Sequence, residues 1–146
     1  MHDPACQEAL LAAQHLIARV FHFHDTRDFV AEADCFAEDG IWLRKGESLE
    51  GRARIVATLE ARPRSLDTMH VVTNVVVERF TADSADVAFF LTTHLHDDGT
   101  PVTGPVGLRR PPSVGIGRAS LIKRDGAWLI HRFATEDWVF LSRLAP

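Results

Sequence analysis

Residues 69–78 read Met-His-Val-Val-Thr-Asn-Val-Val-Val-Glu, which places one imidazole and one carboxamide in a run of β-branched residues. Such a run predicts a strand that is buried on both faces, and side chains two apart in a strand point the same way. His70 and Asn74 are therefore predicted to share a face with Val72 and Val76. A polar pair on an apolar face costs free energy unless it is compensated, so the segment indicates either a satisfied core network or the wall of a pocket.

The chain before this strand has the pattern of three helices. Apolar residues at spacings of three and four predict a helix from Pro4 to about His24, and His24 lies on the apolar stripe. Asp28 is the predicted N-cap of a second helix that runs through Phe36 and ends at Asp39-Gly40. A short strand at 41–43, a turn from 46 to 51 and a third helix over 52–61 follow.

The chain after Pro63 has the pattern of strands, at about 69–80, 84–96, 113–124 and 127–140, separated by turn residues. Helices followed by such a meander predict one α+β domain over residues 1–146, with the helices packed on one face of a curved antiparallel sheet. The strands are rich in Val, Phe and Leu on both faces. We therefore expect a homodimer that covers the outer face of the sheet.

Composition excludes several classes of partner and site. The formal charge is -4, the pI is about 6.0, and no dense basic block is present, so neither nucleic acid nor an anionic membrane is an expected partner. Cys6 and Cys35 are isolated, which favours neither a disulfide framework nor a zinc cluster. The first residues lack the pattern of a signal peptide, and no apolar run is long enough to span a membrane, so we expect a cytoplasmic protein.

Five motifs follow one another along nearly the whole chain: Asp25-x-x-Asp28, Phe36-Ala-Glu-Asp39-Gly-Ile-Trp42, Gly51 before the third helix, His70-x-x-x-Asn74 and Asp125-Gly-x-Trp128-x-Ile130-x-Arg132. This ordered set resembles the SnoaL-like branch of the nuclear transport factor 2-like superfamily. The branch and its relatives include polyketide cyclases, scytalone dehydratase, ketosteroid isomerase and hexachlorocyclohexane dehydrochlorinase. The resemblance implies an α+β cone, in which a bent sheet wraps a helix around an apolar cavity open at one end, and it implies a dimer.

The resemblance also implies a catalytic pair. In the dehydratase and dehydrochlorinase members, an Asp at the end of the first helix pairs with a His on the first long strand, and Asp25 and His70 occupy those places. The tyrosines of scytalone dehydratase have no counterpart, because the chain contains no Tyr. A neutral His is a good base near neutral pH, and a carboxylate that accepts its other N–H fixes the tautomer. The alternative, left open by the residues, is a structural pair in a pocket that only binds.

Five further residues are predicted to contact a ligand. His24 can reach the cavity from the helix, and Trp42 offers an apolar wall with an N–H for a substrate oxygen, or it is a core aromatic. Asn74 offers its amide, or it bridges strands; His94 is predicted to line the cavity; and Arg118 can meet an anionic group, or it forms a surface salt bridge. His94 and His96 share a strand face but are only half a metal site, so we expect no metal and no cofactor.

The sequence thus favours a cofactor-independent lyase or isomerase, of dehydratase or cyclase type, that acts on an apolar or aromatic, cyclic small molecule. The alternative is a noncatalytic ligand-binding or assembly protein on the same fold, comparable to the small subunit of a ring-hydroxylating dioxygenase.

Overall fold

The structure is a computed structural model that describes residues 3–142. It contains three helices and six strands in one sheet of order β2-β1-β6-β5-β4-β3. The helices are α1 (Pro4–Thr26), α2 (Phe29–Ala33) and α3 (Arg52–Glu60), and the strands are β1 (Phe36–Arg44), β2 (Glu47–Glu50), β3 (Asp67–Phe80), β4 (Ser84–His96), β5 (Ser113–Arg124) and β6 (Ala127–Phe140). The α+β architecture, with helices packed on one face of a curled, open sheet, is confirmed.

Side-chain caps define where the first two helices begin. Asp3 accepts the backbone N–H of Ala5 at 2.8 Å, and Pro4 occupies the first turn, where its missing N–H costs nothing. Asp28 is the predicted N-cap of α2 and accepts the N–H of Ala31 at 3.1 Å. The second helix is nevertheless shorter than predicted, because Phe36 already belongs to β1 and pairs with β6.

The sheet is mixed, whereas the sequence predicted an antiparallel one. Strands β1 and β6 are parallel, and every other neighbouring pair is antiparallel. All the elements between β1 and β6 form the connection, which is long enough to return the chain in the same direction.

The predicted turn over residues 46–51 is instead the second strand of a hairpin. Lys45 and Gly46 form its two-residue loop, and both have positive φ angles, of 50° and 73°. Two such residues make the tight hairpin turn whose twist matches that of the strands. The sequence shows only the Gly at the second position, which is why the polar strand β2 went unrecognised.

The prediction that His70, Val72, Asn74 and Val76 share one face is wrong. Asn74 has a φ of 54°, and the β3–β4 register shifts between Thr73 and Val76, so a bulge reverses the alternation of side chains. His70 and Val72 point inward before the bulge, whereas Val76 is 52% exposed after it.

The inner face of the sheet meets the helices in an aromatic core. Phe21 of α1 packs against Phe89 and Phe133, and Phe36 stacks on Trp42 with ring centroids 5.9 Å apart. The outer face is not buried in the single chain, contrary to the prediction for β3, since Met69, Val71 and Phe90 are exposed. Within residues 3–142, no helix combines the length and apolar character required to cross a membrane.

Candidate active site

The site lies in a cavity of about 150 Å³ between the end of α1 and the inner face of the sheet. Its lining mixes apolar, aromatic, hydroxyl and charged side chains, so it is less apolar than the predicted cavity. The lining residues are Phe21, His24, Trp42, Arg44, Lys45, Arg62, Leu66, Thr68, His70, Leu91, Thr93, Leu95, Thr135, Glu136 and Trp138.

Asp25 and His70 are brought together at the wall of this cavity. Asp25 Oδ1 lies 2.6 Å from His70 Nδ1, and Asp25 Oδ2 accepts the backbone N–H of His70 at 2.8 Å. The Thr68 hydroxyl donates to Asp25 Oδ1 at 2.9 Å, so three donors converge on one carboxylate. Because Nδ1 donates to Asp25, the lone pair of His70 is on Nε2. Phe21 stacks on the imidazole at 4.6 Å and holds the ring plane.

The end of α1 determines the position of the Asp25 carboxylate. Arg27 adopts a left-handed conformation with φ 61° and closes the helix through its N–H. Its side chain then donates to the carbonyls of Pro63 and Leu66, both at 2.6 Å. The turn that precedes β3 is therefore tied to the helix end that carries Asp25, which fixes the spacing between the two halves of the pair.

A second carboxyl–imidazole pair lies beside the first. His24 Nδ1 is 2.9 Å from Glu32 Oε1, and both side chains are buried. The His24 and His70 rings are 5.3 Å apart and meet at 83°. Like His70, His24 lines the cavity, and its Nε2 has no hydrogen-bond partner within the described chain.

Burial controls the charge of this second pair. It raises the pKa of Glu32 to about 9, although Arg44 and Arg62 act in the opposite direction. Burial together with the neighbouring cations Arg62 and Arg44, and with His70, lowers the pKa of His24 to about 2. Near neutral pH the pair is therefore uncharged, and Glu32 donates its proton to His24 Nδ1. This hydrogen bond leaves the ring proton of His24 on Nε2, which faces the cavity.

Trp42 lines the cavity with its ring, but its N–H is already occupied. Nε1 donates to the Thr135 hydroxyl at 3.2 Å, so this N–H is not free for the predicted contact with a substrate oxygen. The indole has a different role: its face supports the Arg44 guanidinium, whose carbon lies 4.8 Å from the ring centroid.

Three of the predicted site residues lie outside the cavity. Asn74 is exposed at the bulge in β3. His94 pairs with Met69 and alternates with the lining residues Thr93 and Leu95, so it points to the outer face of the sheet. Arg118 is also on the outer face and forms the alternative surface salt bridge, with Asp137 at 2.8 Å.

Glu32, Arg44 and Arg62 are the residues that the sequence analysis missed. Glu32 could have been recognised from the sequence, because a residue that normally carries a charge lies here with Phe29 and Ala33 on the apolar stripe of α2. Arg44 is the last residue of β1 and Arg62 lies two residues after α3, and nothing in their sequence context separates them from surface arginines.

Metal-binding side chains are not clustered in the described chain. Residues 3–142 contain no group of three or more His, Cys, Asp or Glu side chains placed to hold a metal ion. His94 and His96 share the outer face, and His96 Nε2 is 3.7 Å from Asp98. Cys6 and Cys35 are free, and burial raises the pKa of Cys35 to about 11, which makes this thiol a poor nucleophile.

The sequence of residues 7–134 matches the SnoaL-like domain. The chain belongs to the SnoaL-like family. This family membership confirms the resemblance carried by the motifs, which include Asp25-x-x-Asp28 and His70. No curated protein sequence matches the chain.

Solved structures of several bacterial proteins share the fold of this SnoaL-like protein. The hexachlorocyclohexane dehydrochlorinase LinA-type3 from Novosphingobium barchaimii is 18% identical, with a TM-score of 0.76 and 99% of each chain covered. Aln2 from Streptomyces is 21% identical, with a TM-score of 0.71 and 94% of each chain covered. A Nostoc punctiforme protein of unknown function with a cystatin-like fold is 16% identical, with a TM-score of 0.68 and coverage of 85% of this chain and 86% of that one.

Proposed function

We propose that this SnoaL-like protein is a cofactor-independent lyase or isomerase that removes a carbon-bound proton from a small cyclic molecule. One observation carries the proposal. His70 donates Nδ1–H to Asp25 over 2.6 Å, which leaves the lone pair of Nε2 for a substrate in the cavity. A base in this arrangement accelerates proton transfer by about 10²–10⁴-fold.

Asp25 supports both states of the base. Its carboxylate fixes the His70 tautomer before the reaction and stabilises the imidazolium that forms when Nε2 takes the proton. The backbone N–H of His70 and the Thr68 hydroxyl, which also donate to this carboxylate, hold it in place. No large motion of the pair is needed during proton transfer.

The second pair supplies the complementary acid. In an elimination, the electrons of the broken C–H bond form a C=C bond, and the leaving hydroxyl takes a proton from His24 Nε2 and departs as water. Glu32 passes its own proton to His24 Nδ1, so the imidazole stays neutral and Glu32 becomes a carboxylate. Arg44 and Arg62 favour that carboxylate, since both cations act to lower the pKa of Glu32.

In an isomerisation, His24 only donates a hydrogen bond to the substrate, and His70 returns the proton to a second carbon atom.

The likeness to a dehydrochlorinase of the same fold supports elimination as one of the reactions to be tested. That enzyme's substrate is not carried over, because the identity between the two chains is low. The size of the cavity suits a single ring: a cavity of this volume, about 150 Å³, is large enough to hold a molecule such as benzene.

Solvent deuterium exchange tests the proposal with Asp25→Asn. An Asn side chain can donate to Nδ1, and it then forces the ring proton of His70 onto Nε2, where it blocks the base. We expect exchange of the acidic protons of a bound cyclic ketone, followed by NMR in heavy water, to fall by about 10²–10⁴-fold. Asp83→Asn, at an exposed turn, is the matched control and keeps the wild-type rate. Equal exchange in wild type and Asp25→Asn contradicts the proposal.

A further inference from the structure

Two arginines with almost no hydrogen bonds share the cavity with His70. Arg44 ends β1, and Arg62 follows α3 by two residues. Both are partly buried, and both line the cavity. Burial lowers the pKa of both guanidinium groups, and Arg27 and Arg44 lower that of Arg62 further, so the two arginines occupy one poorly hydrated site.

The guanidinium groups use few of their donors. An Arg side chain has five N–H donors, and burial without partners costs free energy. Arg44 has no side-chain hydrogen bond within residues 3–142, its Nη1 is buried, and it is supported only by the face of Trp42. The hydrogen bond of Arg62 in the described chain goes to the Thr68 hydroxyl, at a long 3.4 Å.

The carboxyl groups of the site are engaged elsewhere. Asp25 accepts from His70, Glu32 is protonated and donates to His24, and Glu136 accepts the backbone N–H of Lys45. Within residues 3–142, no carboxylate oxygen lies within the 4.0 Å ion-pair distance of either guanidinium. The two cations of the cavity therefore have no ion-pair partner in direct contact, although Glu136 acts on Arg44 from a greater distance and raises its pKa.

We propose that Arg44 and Arg62 bind a carboxylate of the substrate, so that the molecule turned over is a small cyclic carboxylic acid. A planar guanidinium matches the two oxygens of a carboxylate, and such charged hydrogen bonds are roughly twice as strong as neutral ones. Phe21, Leu91 and Trp138 provide apolar surface for the ring. The assignment of a substrate rests on the proposed function, whereas the binding of the anion does not.

Paired ligands that differ only in charge test this assignment. The probes are benzoate, salicylate and cyclohexanecarboxylate, each compared with its own amide, by NMR titration at neutral pH. We expect each acid to bind wild type about 10–100-fold more tightly than its amide. Arg44→Met and Arg62→Met should each weaken the binding of the acid by about 10-fold or more and leave the affinity for the amide unchanged.

Matched variants keep the result unambiguous. Arg54→Met removes an exposed arginine of α3 and should leave all the affinities unchanged. If Arg44→Met does not fold, Arg44→Lys should retain part of the preference, because it keeps the charge without the planar fork. Acids that bind no better than their amides, or that show no binding at millimolar concentration, overturn the carboxylate site.

The same ligands separate this proposal from the proposed function. His70→Gln should bind the acids within about 3-fold of wild type, because the base is not an anion ligand. A wild type that prefers acids but does not exchange the protons next to the ketone of a bound cyclic keto acid, such as 3-oxocyclohexanecarboxylate, retains the anion site and loses the catalytic proposal. Exchange of the protons of neutral ketones without any preference for acids retains the catalytic proposal and loses the anion site.

Discussion

The rings of His24 and His70 stand at 83° to each other, with centroids 5.3 Å apart, and each has a carboxyl group at Nδ1. Their partners differ in protonation. Asp25 accepts the ring proton of His70, whereas burial raises the pKa of Glu32 so far that it donates to His24. Two identical side chains thus line one cavity with different carboxyl partners, and in the proposed reaction His70 takes a proton and His24 donates one.

Glu32→Gln should change how stability depends on pH. The folded pKa of Glu32, about 9, is above its usual 4.5, so its contribution to stability is complete below about pH 4.5 and is lost as pH rises toward 9. The folded pKa of His24, about 2, is below its usual 6.5, so its contribution is complete above about pH 6.5 and is lost as pH falls toward 2. Glu32→Gln cannot titrate, and the loss of stability at alkaline pH should become smaller.

Urea denaturation between pH 5 and 9 measures this effect as the free energy of unfolding, with wild type declining across the alkaline half of the range. Glu60→Gln, at an exposed position of α3, is the control and should follow the wild-type profile. An equal alkaline decline in Glu32→Gln and wild type would show that Glu32 is ionised in the folded protein.

Asp25 and His70 should behave as one unit in a double-mutant cycle. Asp25→Asn and His70→Gln each remove the same base, so the double variant should exchange substrate protons about as slowly as the worse single variant. Additive losses from the two changes would mean that the residues act separately. Exchange rates of all four proteins under one condition give the comparison.

Much of the fold could be predicted from the sequence, because helix caps, apolar stripes and turn residues are local signals. The four long strands were predicted close to their observed bounds for this reason. The pairing of β1 with β6 and the bulge at Asn74 depend on contacts between distant residues, which no local pattern contains.

The site was only partly predictable for the same physical reason. Asp25 and His70 came from the family resemblance, and the apolar stripe of α1 pointed to His24. His94 was predicted to line the cavity, but its pairing with Met69 places it on the outer face of the sheet. The partnership of Glu32 with His24 and the convergence of Arg44 and Arg62 exist only after the chain has folded.

The outer face of the sheet should bring two chains together. Met69, Val71, Val76 and Phe90 are 61%, 44%, 52% and 48% exposed, and they lie on the adjacent strands β3 and β4. Contiguous apolar patches of more than a few hundred Å² are unusual on monomers. We expect sedimentation at micromolar concentration to give twice the chain mass of 16.3 kDa.

Phe90→Lys should shift that equilibrium to the monomer, because a lysine would be buried in the interface. Leu11→Lys is the control, since Leu11 is 67% exposed on α1, away from the sheet. A wild type that sediments at 16.3 kDa at every concentration would contradict the dimer.

Gly117→Ala should destabilise the core and disturb the base. A Cβ at Gly117 would lie 2.1 Å from the ring of Phe89, which packs against Phe21, and Phe21 in turn stacks on His70. We expect the free energy of unfolding to fall by about 1–3 kcal/mol in urea denaturation. Gly107→Ala, where no atom lies within 4 Å of the added methyl group, should be close to neutral. Equal stability of the two variants would mean that the core has more space than the structure shows.

Proton exchange in His70→Gln, measured together with ligand affinity, tests the base most directly. Gln is polar and close to His in size, so the cavity should keep its ligand within about 3-fold, while exchange of the ligand's acidic proton in heavy water falls by about 10²–10⁴-fold. His94→Gln, on the outer face of the sheet, should leave both quantities unchanged. If His70→Gln binds the ligand and exchanges its proton at the wild-type rate, His70 is not the base.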